Sequence, residues 1–172
     1  AKWGLGASYY NGGVYQGTAN VYTMAGNGFV LNSDPNNLSK YAKREYFGLD
    51  GQFSFESSMG MTQLRAEYIW GTQPGSNSST GSPNAAANPT TDTYIRKMSG
   101  WYGILVQDLG QSPFSLVLKY DSYDPNTKVK GDEIGAATTV AGAVKTNKTD
   151  LRYNTFGIGG LWRINPALRL QL

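Results

Sequence analysis

Lys43-Arg44-Glu45-Tyr46-Phe47-Gly48-Leu49-Asp50-Gly51-Gln52-Phe53-Ser54-Phe55-Glu56 changes character at every second position. Phe47, Leu49, Phe53 and Phe55 share one side; Arg44, Asp50, Gln52, Ser54 and Glu56 share the other. Successive side chains of a strand point to opposite faces, so this segment reads as a strand with an apolar face and a charged face. A soluble sheet can use the same pattern. The recurrence of such strands, with joints alternately tight and long, narrows the reading.

Upstream, Trp3, Leu5, Ala7 and Tyr9 share one face of a first strand, which Asn11-Gly12-Gly13 interrupts. Val14 to Tyr41 has no clean period and reads as a long loop; an early hairpin at Asn11-Gly12-Gly13 is the alternative, since Asn-Gly is a hairpin signal. Downstream, Met61–Trp70 places Leu64, Ala66, Tyr68 and Trp70 against Gln63, Arg65 and Glu67. Thr72–Thr93 is nearly all Gly, Ser, Asn, Pro, Thr and Ala, a long mobile loop without core material. In the strand from Ile95 to Leu109, Met98, Tyr102, Ile104 and Val106 oppose Trp101 and Leu105, so its parity is open. Phe114, Leu116, Leu118 and Tyr120 alternate next, a third polar segment spans about 124–149, and Arg152–Ile164 carries Phe156, Ile158 and Trp162 on one face. Leu168, Leu170 and Leu172 alternate with Arg169 and Gln171.

This makes about seven strands, with tight joints at Ser57–Gly60, Gly110–Pro113 and Asn165-Pro166 and long ones at about 11–41, 72–94 and 124–149. Outer-membrane barrels keep short turns at one end and long loops at the other. The expectation is an all-β chain, residues 1–172 forming a single domain, built as an antiparallel up-and-down transmembrane β-barrel. No segment has a helical period.

The chain has no Cys and no His, which disfavours disulfides, thiolate metal sites and His-dependent hydrolases or acyltransferases. No enzyme activity, cofactor or metal is expected. A net charge of +3 with scattered Lys and Arg is no nucleic-acid footprint. No apolar stretch approaches the ~18–20 residues of a membrane helix. The mean hydropathy of −0.41 still fits a barrel, where only alternate strand residues meet lipid. The start of the chain has neither the charged nor the apolar region of a secretion signal and reads as a mature chain or a fragment.

On the barrel reading, the face opposite the apolar one lines the lumen. It carries Arg44, Arg65, Lys119, Arg163 and Arg169 against Asp50, Glu56, Glu67 and Asp121. Charged rings set ion preference, so five cations against four carboxylates predict weak selectivity with at most a slight anion bias. Cross-strand ion pairing is the plainer use of the same residues. Trp3, Tyr9, Tyr68, Trp70, Tyr102, Tyr120 and Trp162 suit the aromatic girdles of a membrane interface; a soluble core is the alternative. Asp132-Glu133 with Asp121 and Asp124 lacks the spacing of a calcium loop and reads as a solvated loop.

Thr155-Phe156-Gly157-Ile158-Gly159-Gly160-Leu161-Trp162-Arg163-Ile164-Asn165-Pro166-Ala167-Leu168-Arg169-Leu170-Gln171-Leu172 resembles a late hairpin of the phosphate-selective porin O and P family: a strand ending near Trp, an Asn-Pro turn, then an Arg-bearing strand. Leu118–Pro125 followed by Gly131–Gly135 is similar to porins of this type from Bacteroidetes-like bacteria. The resemblance implies a barrel of about sixteen strands, of which this chain is a C-terminal part, and a homotrimer in the bacterial outer membrane. It also implies passive diffusion of small hydrophilic solutes, with a preference for anions such as phosphate. A soluble β-barrel carrier and a structural or adhesive outer-membrane barrel are the other readings.

Overall fold

The computed structural model describes residues 1–80, 90–165 and 167–171. The strands are β1 (Lys2–Tyr15), β2 (Asn20–Ala25), β3 (Gly28–Ser33), β4 (Tyr41–Ser57), β5 (Gly60–Gly75), β6 (Thr93–Asp108), β7 (Phe114–Asp124), β8 (Val144–Lys145), β9 (Tyr153–Asn165) and β10 (Leu168–Gln171). Short 3₁₀ turns are the only helical pieces among the described residues. The protein is all-β and mostly antiparallel.

Seven strands make one antiparallel meander in the order β1-β4-β5-β6-β7-β9-β10. These are the seven periodic segments of the sequence. Among the described residues the sheet does not close: β1 has a strand neighbour only on its β4 side and β10 only on its β9 side. The tight joints lie together at one end. Gly60, with φ +104°, closes the β4–β5 turn, where a Cβ would come within 2.9 Å of the Asp108 carbonyl. That close approach lets the Gly110 N–H donate to the Met59 carbonyl across neighbouring turns at 2.8 Å.

The other end departs from the sequence reading. β1 runs straight through Asn11-Gly12-Gly13 to Tyr15, so no hairpin forms there. Instead, β2 and β3 form a hairpin inside the expected 14–41 loop, with Ala25 opposite Gly28. β2 then pairs parallel with the start of β6, Val21 beside Thr93, where β7 does not reach. β5 continues to Gly75 into the expected 72–93 loop, of which residues 81–89 lie outside the described residues. The 124–149 segment contributes β8, which pairs with β3. Pro166 of the last turn and Leu172 also lie outside the described residues. The parity of β6 is settled: Trp101 and Leu105 oppose Tyr68 and Leu64 on the apolar face, while Tyr102, Ile104 and Val106 fall on the charged one.

The core sits under these long joints. Val14, Val21, Phe29, Ala42, Tyr94, Met98 and Val129 are its buried apolar residues. Val14, Ala42, Tyr94 and Met98 belong to the charged face by register, so the long joints fold over that face at its mouth. Tyr22 stacks on Tyr94 at 4.3 Å, and Phe29 meets the same ring edge-on at 5.0 Å. The apolar face has no such cover: Leu5 is 81% exposed, Trp3 75% and Ile158 71%.

Candidate pore-lining face and its loop cap

The register fixes which side chains share a face. Arg44, Asp50 and Glu56 of β4, Arg65 and Glu67 of β5, Lys119 and Asp121 of β7, Arg163 of β9 and Arg169 of β10 all fall on the charged face. Two rows cross it. Asp50, Glu67, Tyr102 and Asp121 stand opposite one another on four consecutive strands of the sheet. Gln52, Arg65, Ile104 and Lys119 make the next row towards the tight joints, ~7 Å further along the strands. Like charges directly opposite one another repel, as Asp50 and Glu67 do. In the basic row beneath, Lys119 pairs with Asp121 at 3.2 Å, and Arg65 reaches the Gln52 amide oxygen at 3.5 Å.

Sequence reasoning missed three charged members of this face, Lys2, Arg96 and Asp108. Lys2 lies opposite Ser54. Asp108 takes Arg163 at 2.8 Å and the Ser115 hydroxyl at 2.7 Å, so Arg163 faces Arg169 with its charge already compensated. Settling the parity of β6 would have found Asp108, six residues after Tyr102 on the same side. Nearer the mouth, Arg44 lies over the Tyr10 and Tyr46 rings at 5.5 and 5.2 Å and donates to the Tyr46 hydroxyl. That hydroxyl also contacts the Gln73 amide oxygen.

Trp3, Tyr9, Tyr68, Trp70, Tyr120 and Trp162 fall on the apolar face; Tyr102 falls on the charged face, because it is in register with Glu67. Aromatic rings run across the apolar face in a line from Tyr9 through Phe47, Trp70, Tyr68, Trp101 and Tyr120 to Phe156. Its contacts include Tyr9–Phe47 at 5.0 Å, Tyr68–Trp70 at 5.3 Å and Trp101–Tyr120 at 5.2 Å. Relative to the strand rows this line descends by about four residues, ~14 Å, over five interstrand gaps, ~24 Å, a slant of about 30°. A second line, from Trp3 through Phe53 to Trp162, descends by the same amount. Between them lies an apolar strip ~18 Å high once the slant is removed, which Phe55 prolongs towards the tight joints.

Over the mouth of the charged face, one buried ion pair ties the long joints together. Arg96 of β6 donates through Nε to Asp150 at 2.8 Å, both side chains being fully shielded from solvent. Arg96 Nη1 donates to the Ser76 carbonyl at 2.8 Å, and its guanidinium lies 5.0 Å from the Phe29 ring of the β2–β3 hairpin. Asp150 also accepts from Asn126 Nδ2 at 2.8 Å and from the Asn147 N–H at 3.0 Å. Burial, with Tyr22 alongside, pushes the Tyr94 phenol up to about 12.

The acidic residues of the third long joint do not converge. The Glu133 carboxylate accepts from the Lys130 N–H at 2.7 Å, Asp124 accepts from the Asn126 N–H at 3.0 Å, and Asp121 stays in the sheet. No metal-holding cluster occurs among the described residues. Comparison of the chain with protein-family models, curated proteins and solved structures finds no match.

Proposed function

We propose that this sheet is part of the wall of an outer-membrane channel through which small hydrophilic solutes diffuse passively. The observation that carries the reading is the division of the two faces. One bears Arg, Lys, Asp and Glu in cross-strand rows; the other bears large apolar side chains bounded by two parallel aromatic lines. A soluble sheet has no reason to leave Trp3, Leu5, Phe156 and Ile158 uncovered. The slant of about 30° and the strip of ~18 Å approach the ~35–45° tilt and ~25 Å apolar band of outer-membrane barrels. Tight joints at one end and long joints at the other fit the same architecture.

The charged face sets the selectivity expected of such a channel. Among the described residues it holds Lys2, Arg44, Arg65, Lys119, Arg163 and Arg169 against Asp50, Glu56, Glu67, Asp108 and Asp121, with Arg96 and Asp150 cancelling. This near balance supports weak ion discrimination, with no cluster of uncompensated cations of the kind a phosphate filter needs. Lipid is the partner of the apolar face, and the homotrimer implied by the porin resemblance would use the same face. No residue makes or breaks a bond.

Single-channel recording of the membrane-inserted protein across a salt gradient tests the proposal. Stepwise openings with a reversal potential near zero are expected. Silence from folded, surfactant-solubilised protein would overturn it and favour a structural or adhesive barrel.

A further inference from the structure

We infer that the apolar face carries a binding site for a phosphorylated lipid headgroup, in a crevice of about 430 Å³ at its upper aromatic line. The inference rests on the membrane reading above and adds a ligand to it. The crevice exists because Trp70 of β5 stands opposite the small Ser99 of β6, and because β7 ends beside Ser99 at Asp124. Its lower wall is aromatic, with Phe47 and Trp70 at 5.8 Å. Its upper wall is polar: Lys97 Nζ donates to the Thr72 hydroxyl at 2.5 Å, and the Thr127 N–H donates to the Lys97 carbonyl at 2.8 Å.

Charge decides the occupant. Two carboxylates lie on this part of the face; Glu45 lines the crevice itself, across Thr72 from Lys97 and within reach of its charge, but both carboxylates have closer partners. Glu45 is held by Lys43 at 2.8 Å and by the Tyr9 hydroxyl at 3.0 Å, and Asp124 caps the turn at Asn126. Among the described residues no carboxylate lies within ion-pair distance of Lys97. An exposed ammonium with donors to spare therefore stands directly above an apolar aromatic wall, at the level where a membrane surface would lie. A headgroup whose phosphate meets Lys97 and whose carbon skeleton lies along Trp70 and Phe47 satisfies both walls. Free phosphate satisfies only the upper one.

The test is lipid retention by the surfactant-solubilised protein in native mass spectrometry, with a diphosphorylated glycolipid, its dephosphorylated analogue, and inorganic phosphate as competitor. The phosphorylated lipid is expected to be retained, and Lys97→Gln to weaken it about fivefold, the effect of one lysine at an anionic membrane surface. Lys97→Arg should restore retention, and Lys145→Gln, in the loop cap, should leave it unchanged. The proposal is overturned if Lys97→Gln has no effect, if the dephosphorylated lipid binds equally well, or if inorganic phosphate displaces the lipid at equal concentration. Conductance of the same preparation separates the two readings. A conducting channel without lipid discrimination removes only the headgroup site; protein that stays soluble without surfactant and retains no lipid removes both.

Discussion

Replacing Asp150 by Asn tests whether the loop cap is held by one buried ion pair. The carboxylate takes three contacts, from Arg96 Nε, Asn126 Nδ2 and the Asn147 N–H. Asparagine keeps the shape but brings an amide N–H₂ to face those donors, and it leaves the Arg96 guanidinium charged and shielded from water. Breaking a buried pair from one side costs about 3–5 kcal/mol, because the remaining charge is uncompensated. The cost falls on the cap, not on the strands below. Local opening of the cap should therefore rise by ~10²–10⁴-fold, and proteolysis tracks the open population when reclosing outpaces cleavage. Trypsin cleavage at Lys145 and Lys148, followed by mass spectrometry, reads this directly. The double variant Arg96→Met/Asp150→Leu removes both charges and should recover part of the loss, since apolar replacement of a whole buried pair is often neutral or better, but not all of it, because Asn126 Nδ2 and the Asn147 N–H lose their acceptor. Parent-like cleavage of Asp150→Asn, or a double variant as labile as the single one, would refute the reasoning.

Ile158→Arg distinguishes lipid from water at the apolar face. It should cost about 2–4 kcal/mol in folding from denaturant into vesicles if the position lies at mid-membrane, against ~0.5 kcal/mol or less for a water-facing site. Arg65→Glu/Lys119→Glu turns the basic row acidic and should move the reversal potential in a salt gradient towards cation preference; an unmoved potential would place those residues outside the conducting path. Tyr94 gives a pH dependence with a definite sign. Its folded pKa is raised from 10.0 to about 12, so the fold keeps its full stability below pH 10 and loses part of it as pH climbs towards 12. Tyr94→Phe should abolish that part of the loss in unfolding measured across the alkaline range.

The seven strands of the meander were legible because their period survives in the sequence: every second side chain meets a different medium. β6 was not legible in parity, because both its faces are apolar. Trp101 and Leu105 lie on the uncovered face, while Met98 is buried under the cap and Ile104 and Val106 continue its side. The β2–β3 hairpin was missed for another reason. Its rings are satisfied by Tyr94 and Arg96, more than sixty residues away, so no local alternation is needed, and Gly26-Asn27-Gly28 reads as loop composition although it supplies the turn. Arg96 and Asp150 lie 54 residues apart with no shared motif; only the fold brings them together. Residue type alone cannot place Tyr102, which the register puts beside Glu67, since a tyrosine serves an interface or a hydrophilic wall equally well.

The two faces also differ in bulk. Gly4, Gly6, Gly48, Gly71, Gly100, Gly157 and Gly159 lie on the charged face, and the Gln52 amide lies over Gly4, where a Cβ would come within 3.1 Å of it. The Asp50 carboxylate covers Gly6 and the Ser8 hydroxyl covers Gly48 in the same way. Gly51, Gly103 and Gly160 fall on the apolar face, so the glycines are weighted towards the charged face and not confined to it. Strand direction then limits how the wall is completed. β1 and β10 both run from the tight-joint end to the long-joint end. Two copies of these strands, inserted the same way up, would meet β10 to β1 in parallel, whereas an up-and-down barrel pairs its neighbours antiparallel. On the channel reading, the strand beside each bare edge therefore descends from the long-joint end. A second copy of this sheet in the same orientation cannot supply it, so the lumen is closed by an odd number of other strands.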